Sequence, residues 1–169
     1  MPPIVETERL CLREFRHDDL DALAAMVGDP EQMRFYPATR SREEASAWLE
    51  RTLAGYSEPG LGIWVVESRE DQGFAGYCGL RPLVLDDGTS ETEIGWHIHK
   101  SFWGRGLATE AARAARDTGF GRYGLERIIA IIPVGHQASY AVAERLGMRV
   151  EREASYEGEV VVVYALERA

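Results

Sequence analysis

The sequence is poor in cysteine and contains no long uninterrupted hydrophobic run. Its two cysteines, Cys11 and Cys78, each lie within a short apolar stretch, which is typical of thiols that pack in a core and stay reduced. No apolar segment approaches the length of about 20 residues that a membrane-spanning helix needs. The N-terminus also lacks the basic and apolar regions of a secretory signal. These absences predict a cytoplasmic protein without disulfides or a bound metal and with no membrane partner.

Basic residues are scarce relative to acidic ones. The 19 Lys and Arg against 28 Asp and Glu give a formal charge of −9. A polyanion-binding surface would have to form against this field, so we expect no nucleic-acid partner, while cationic or amine-bearing partners are favoured. Hydrophobic residues make up 45% of the 169, an ordinary proportion for a globular protein. Because no repeat or linker divides the chain, residues 1–169 are predicted to form a single domain.

The spacing of apolar residues predicts an α/β fold, termed α+β in some classifications, with seven strands and about four helices. The predicted helices cover residues 20–27, 41–55, 106–123 and 137–146. The predicted strands cover residues 9–13, 63–66, 74–80, 91–98, 128–132, 148–152 and 160–166. The run at 128–132 is apolar at every position, which predicts a central strand covered by helices on both faces.

The most informative segment joins the predicted strand at 91–98 to the following helix. It reads Trp103-Gly104-Arg105-Gly106-Leu107-Ala108-Thr109-Glu110. Glycines let the backbone approach a phosphate closely, and the first amides of a helix direct unpaired N–H groups towards it. The segment is therefore a candidate anion-binding loop, with an ordinary tight turn as the alternative. It has neither the Gly-Lys-Ser/Thr ending of a Walker A loop nor the spacing of a dinucleotide fingerprint.

This loop resembles that of the GNAT superfamily of acyl-CoA-dependent N-acyltransferases, Gln/Arg-x-x-Gly-x-Gly/Ala, except that Trp103 stands at the first position. The stretch from Glu93-Ile94-Gly95-Trp96 into the loop is similar to the branch that includes the RimJ- and RimL-type ribosomal-protein N-terminal acetyltransferases. Two further segments resemble that branch, namely Glu8-Arg9-Leu10-x-Leu12-Arg13 and Ala138-Ser139-x-x-Val142-Ala143-Glu144-Arg145-Leu146-Gly147-Met148. The resemblance covers nearly the whole chain and implies a mixed, mostly antiparallel sheet.

The resemblance implies direct transfer of an acetyl group from acetyl-CoA to a primary amine, without a covalent enzyme intermediate. In this family, pantetheine pairs with a strand edge and the pyrophosphate lies on the loop amides. A strand that runs straight into the loop supports that placement, because its edge offers amides and carbonyls. His136 replaces the Asn of the family pattern, and a surface role is the alternative for Arg105. The implied cofactor-binding residues are Trp96, His97, Ile98, Gly104, Arg105, Gly106, Leu107, Ala108, Thr109 and His136.

Amine acylation needs a base that removes a proton from the ammonium group. Glu93 is our first candidate, because it shares a strand face with Gly95 just before the implied cofactor strand. The alternative is a solvated strand carboxylate with no catalytic role. His97 and His99 have suitable intrinsic pKa values and are the reserve candidates for the base.

The leaving thiolate needs a proton donor. Many relatives use a Tyr where this chain has Ala143, whereas the RimL-like pattern places a Ser at the position of Ser139. Ser139 is therefore the candidate acid, with helix capping as the alternative role. Tyr140, one residue further along, is the substitute donor.

The sequence leaves the acyl acceptor open between a protein N-terminal amine and a small molecule such as an aminoglycoside, a polyamine or an amino acid. We expect the acceptor pocket to be built from residues 29–40 and 83–90. A non-catalytic acyl-CoA sensor is the rival from another functional class. Longer acyl groups and a homodimeric state also stay open.

Overall fold

An open eight-stranded sheet organises the chain in the computed structural model, which describes residues 2–57 and 61–169. The strand order is β1-β2-β3-β4-β5-β6-β8-β7. The strands are β1 Val5–Glu6, β2 Leu10–Arg13, β3 Gly62–Ser68, β4 Phe74–Val84, β5 Ser90–Ile98, β6 Arg127–Pro133, β7 Arg149–Tyr156 and β8 Glu159–Glu167. The helices are α1 Leu20–Val27, α2 Arg42–Gly55, α3 Leu107–Gly121 and α4 Gln137–Arg145.

The predicted fold class is confirmed, with one strand more than the sequence indicated. The additional strand, β1, pairs antiparallel with β2 through Val5 opposite Leu12 and Glu6 opposite Cys11. Two residues are too few to show the alternation by which strands are recognised. Within the described residues, no helix has both the length and the apolar character needed to cross a bilayer.

Local sequence signals explain where the helices begin and how closely they pack. At the start of α2, the Ser41 hydroxyl accepts a hydrogen bond from the Glu44 amide (3.2 Å), and the Glu44 carboxylate accepts one from the Ser41 amide (2.7 Å), which is a capping box. On α3, a Cβ at Gly119 would lie 2.9 Å from the Leu80 side chain. The glycine therefore lets the helix lie close to β4.

The two faces of the sheet carry different layers. Helices α3 and α4 cover one face, where Leu80, Ile94 and Ile128 are buried. Helices α1 and α2 cover part of the other face around Phe15 and Val65.

The prediction of helices on both sides of β6 is wrong for one side. Ile129 packs against Leu83, Leu85 and Val163, which belong to β4, the segment after it and β8. An apolar run reports that both faces of a strand are buried but not which kind of element buries them.

Candidate active site

The sheet opens between its two parallel strands, β5 and β6. The two strands pair at Glu93 and Ile129. On its other side, β5 pairs with β4 along its whole length, from Ile98 opposite Gly76 to Ser90 opposite Val84. Beyond Glu93 the two strands separate, so the last part of β5 presents a free backbone edge. A free edge of this kind offers amides and carbonyls to an extended ligand.

Backbone direction decides which residues of β5 serve that edge. The His99 amide donates to the Ala75 carbonyl (2.8 Å). The His97 carbonyl also points to β4, because a Cβ added to Gly76 would lie 2.1 Å from its oxygen. Both residues therefore direct their backbone groups to β4. Because these groups alternate along a strand, those of Trp96 and Ile98 face the gap. The geometry thus fits a role for the Trp96 and Ile98 backbones in binding a ligand. The His97 backbone groups face β4 instead of the gap.

The Ile98 carbonyl already has two donors. It accepts hydrogen bonds from Trp103 Nε1 (2.8 Å) and from Gln32 Nε2 (2.9 Å). The Gln32 side chain is buried and also accepts a hydrogen bond from the Lys100 amide (2.8 Å). Ile98 therefore has only its amide to offer a ligand. No sequence motif signals Gln32, because its partners lie more than 60 residues away.

The glycine loop has the conformation that an anion-binding turn requires. Gly104 and Gly106 both have φ of 75°, a left-handed conformation that side-chain-bearing residues adopt at a cost. Gly106 is the N-cap of α3 and has no side chain to bond the helix amides, and the amide of Glu110 donates to the Gly106 carbonyl (3.1 Å). The preceding amides, those of Leu107, Ala108 and Thr109, have no intrahelical acceptor. This arrangement fits a pyrophosphate.

Contacts from the segment between β1 and β2 hold this loop in place. Arg9 donates to the Arg105 carbonyl (2.8 Å) and, through Nε, to the Glu110 carboxylate (2.6 Å). The Thr7 hydroxyl donates to the same carboxylate (2.6 Å). Burial alone would raise the pKa of Glu110, but the hydrogen bonds from Thr7 and Arg9 outweigh it and hold that pKa below its usual value. The Arg105 side chain stacks on Phe102, 5.4 Å from the ring centre.

Glu93 is buried and ion-paired. Its carboxylate lies 2.5 Å from Arg81 Nε, and only 7% of the residue is exposed. Arg81 in turn lies near Tyr156, to whose hydroxyl it donates (3.4 Å). Burial raises the pKa of Glu93, and the Arg81 guanidinium counteracts part of that rise. The carboxylate is therefore not the solvated group that the alternative supposed.

The two reserve histidines have different surroundings. His97 is buried, with Nδ1 2.9 Å from the Tyr77 hydroxyl and Nε2 3.5 Å from the Gln32 carbonyl oxygen. Burial lowers the pKa of His97 to about 4, so the imidazole is neutral at neutral pH. His99 instead accepts a hydrogen bond from the Ser101 amide (3.2 Å) and caps a short 3-10 helix.

The start of α4 separates the two candidate proton donors. The Tyr140 hydroxyl accepts a hydrogen bond from the Gly135 amide (2.9 Å) and donates to the Pro133 carbonyl (3.4 Å), so it ties together the turn between β6 and α4. Ser139 is half-buried and lies inside the helix, whose N-cap is His136 and carries no side-chain cap. Helix N-capping is thus not the role of Ser139.

A short segment before α2 connects the glycine loop to the start of α4. The Phe35 ring stacks on His136 at 4.0 Å between ring centres and 9° between planes. The Arg34 guanidinium lies 5.0 Å from the Phe35 ring centre and 5.3 Å from that of Trp103. Trp103 and His136, which both depart from the family pattern, therefore contact the same segment, Arg34–Phe35. His136 Nδ1 is buried and has no hydrogen-bond partner within the described residues, which leaves it available to a ligand.

Comparisons with known proteins identify the family of this chain. The acetyltransferase (GNAT) domain family matches residues 9–149. The uncharacterized N-acetyltransferase YoaA of Bacillus subtilis is 30% identical over 153 residues, which cover 89% of this chain and 85% of YoaA.

Solved structures share the fold. The crystal structure of an acetyltransferase from Agrobacterium tumefaciens str. C58 has a TM-score of 0.85 and 26% identity, covering 99% of this chain and 95% of its own. The ribosomal L7/L12 alpha-N-protein acetyltransferase RimL in complex with coenzyme A has a TM-score of 0.79 and covers 98% of this chain and 97% of its own, and at 21% identity it shows the fold alone. Since the domain match spans most of the chain, this protein belongs to the GNAT family of acetyltransferases.

Proposed function

We propose that the chain transfers an acetyl group from acetyl-CoA to a primary amine held on the α1–α2 side of β5. The observation that carries the proposal is the continuity between the free edge of β5 and the unpaired amides at the start of α3. A strand edge and a helix N-terminus in series match a ligand with an amide-containing arm and a pyrophosphate. When bound, acetyl-CoA supplies the thioester that the amine attacks.

The residues of the cleft then have separate tasks. The backbone of Trp96 and the amide of Ile98 hold the pantetheine arm, and His136 Nδ1 is a further polar contact. The loop from Gly104 to Gly106 and the amides of residues 107–109 hold the pyrophosphate, with Arg105 beside them. These tasks bind and orient the donor, which lowers the entropic part of the barrier.

Two side chains handle protons. Glu93 accepts the ammonium proton, directly or through water, and its burial supports this role because a raised pKa makes a carboxylate a stronger base. Ser139 donates to the sulfur or carbonyl oxygen as negative charge develops there. Tyr140 is the weaker candidate, because its hydroxyl is committed to the turn at 133–135.

The acceptor amine belongs either to a small molecule or to a protein N-terminus. The likeness in fold to RimL, whose name gives a ribosomal protein as its substrate, keeps the protein N-terminus among the acceptors to be assayed. We further propose that residues 1–169 act as a single domain in the cytoplasm, in keeping with their reduced cysteines.

Replacing Gly106 tests the proposal. Gly106→Val places a β-branched side chain at φ of 75°, so it should weaken acetyl-CoA binding by roughly 1 to 3 kcal/mol in calorimetry. Gly121→Val, at the exposed end of the same helix where a Cβ meets nothing within 4 Å, is the matched control.

The outcomes separate the rival functions. If the Gly106→Val protein folds and binds acetyl-CoA as tightly as the parent, the loop is not part of the cofactor site. Tight acetyl-CoA binding by the parent, with no CoA thiol released for any amine in a broad panel, would establish a sensor instead of an enzyme.

A further inference from the structure

A concavity beside the β5 cleft is lined by aromatic side chains and one cation. Tyr36, Trp48 and Tyr77 supply the aromatic walls, α1 contributes Leu23 and Val27, and Arg40 adds a guanidinium. The Trp48 and Tyr77 rings are 5.2 Å apart between their centres. The lining is mostly apolar with one cationic group, which is the composition of many small-molecule sites. The concavity itself is small, about 60 Å³, so it fits part of a ligand.

Two walls of this concavity reach the proposed catalytic face. The Tyr36 ring lies 5.4 Å from the His97 ring, and the Tyr77 hydroxyl lies 2.9 Å from His97 Nδ1. His97 and Glu93 are four residues apart on β5, so their side chains lie on the same face of the sheet. A molecule seated in the concavity therefore lies on the same face of the sheet as the proposed base, whose charge acts on Tyr36.

The charge of this region is opposite in sign to that of the whole chain. Glu93, the nearby carboxylate, is already paired with Arg81 at 2.5 Å. Arg40 makes no ion pair within residues 2–57 and 61–169. Burial and then the Glu93 charge raise the pKa of Tyr36 to about 12, and the positive charges of Arg81 and Arg40 oppose that rise. The charges of Glu93, Arg81 and Arg40 therefore all act on the aromatic walls. Because Glu93 is paired with Arg81, the Arg40 charge has no carboxylate partner of its own among the described residues.

We propose that the acceptor is a small amino acid-like molecule that carries a free carboxylate as well as the amine that is acetylated. Its apolar or aromatic body lies against the surface formed by Tyr36, Trp48 and Tyr77, and its carboxylate pairs with Arg40, whose planar guanidinium donates two parallel hydrogen bonds. Polyamines and aminoglycosides are excluded from this position by like charge. The inference rests on the proposed function and names the substrate class of the same site.

The test compares acceptors that differ only in the carboxylate. Acetylation of L-phenylalanine, L-tryptophan and L-methionine is measured beside that of their amides, with CoA thiol release as the readout of kcat/KM. The parent should prefer each free acid over its amide by about 10- to 100-fold, as expected for a hydrogen-bonded charge pair. Arg40→Gln should remove this preference by lowering the rates with the free acids, and Arg40→Lys should retain part of it.

Arg51→Gln is the matched control, because it removes the same charge from an exposed position on α2 outside the concavity. A parent that acetylates the amides or spermidine at least as well as the free acids would overturn the carboxylate inference and leave the N-acetyltransferase proposal standing. An unchanged preference in Arg40→Gln would also overturn it. Absence of turnover with every amine, despite acetyl-CoA binding, would overturn the proposed function itself.

Discussion

At the scale of single residues, the position of Glu93 between burial and Arg81 determines how the proposed reaction depends on pH. Burial raises the pKa of the Glu93 carboxyl. The 2.5 Å contact with Arg81 stabilises the charged carboxylate and offsets part of that rise. A base works only when deprotonated, so activity should fall as the pH drops through this raised pKa. The acidic limb of the pH–rate profile should therefore lie above the ordinary Glu value of about 4.3.

Glu93→Gln should lower the acetylation rate and flatten that acidic limb, while acetyl-CoA affinity measured by calorimetry stays nearly intact. The substitution keeps the size of the side chain and removes the titrating group. If the variant retains the pH profile of the parent, the base is His97, His99 or bulk water.

Substitutions at Ser139 and Tyr140 should have opposite effects on the single-turnover rate and on the stability of the fold. Ser139→Ala should lower the single-turnover rate on the order of 10- to 1,000-fold, because a proton donor or charge-stabilising hydrogen bond is lost, with little change in melting temperature. Tyr140→Phe should lower the free energy of unfolding by about 1 kcal/mol, because the Gly135 amide loses its partner, and should leave the chemical step intact. Full chemical rate in Ser139→Ala with loss in Tyr140→Phe would transfer the acid role to Tyr140.

At the scale of elements, close backbone approach on β4 fixes the position of β5. A Cβ on Gly79 would lie 2.1 Å from the Gly62 carbonyl oxygen of β3, and one on Gly76 would lie equally near the His97 carbonyl oxygen of β5. Contacts this short are not relieved by rotating a side chain, because the opposing atoms are backbone. The two glycines therefore determine how β3 and β5 pair with β4, and with that the orientation of the free edge of β5.

Gly79→Ala should lower the free energy of unfolding by about 3 kcal/mol in urea titrations, because the added methyl forces β3 and β4 apart. Gly55→Ala is the matched control, since a Cβ at the end of α2 meets nothing within 4 Å. That control should be neutral or stabilising by up to about 1 kcal/mol. Equal stabilities for the two variants would mean that β4 relaxes without cost.

Periodic elements were the part of the fold that the sequence could predict. Helix α2 begins with a capping box, and α3 has a long apolar face. Strands β3 and β4 are runs of β-prone residues and β5 alternates, so local pattern was sufficient for these elements. Strand β1 was missed because two residues are too few to show a period. The prediction that a helix covers Ile129 was wrong, because burial does not specify which kind of element packs against a residue.

At the scale of the whole molecule, net charge and local charge differ in sign. The chain carries a formal charge of −9, yet the positive charge of Arg40 at the concavity has no carboxylate partner of its own among the described residues. Net charge governs long-range attraction, whereas the pairing of individual groups governs recognition in a site. The preference for cationic partners expected from the sequence therefore does not extend to this concavity.

The candidate site was predictable where it lies on contiguous sequence and was not where it depends on distant contacts. The loop at 103–110 could be recognised from its glycines and the helix that follows. The stacking of Phe35 on His136 and the bonds of Gln32 to Ile98 and Lys100 join segments far apart in sequence. Such pairs form only when the whole fold brings them together, and a single sequence contains no signal for them.

The side chain of Gln32 has a further consequence for a sheet that is open in its middle. An unpaired strand edge invites pairing with another chain. The primary amide of Gln32 donates to the Ile98 carbonyl and accepts from the Lys100 amide, as the backbone of one residue in a neighbouring parallel strand would. It thereby substitutes for a strand at the end of β5 and shortens the exposed edge to a stretch near Trp96, which is long enough for a slender amide-containing ligand and too short to seed association between sheets.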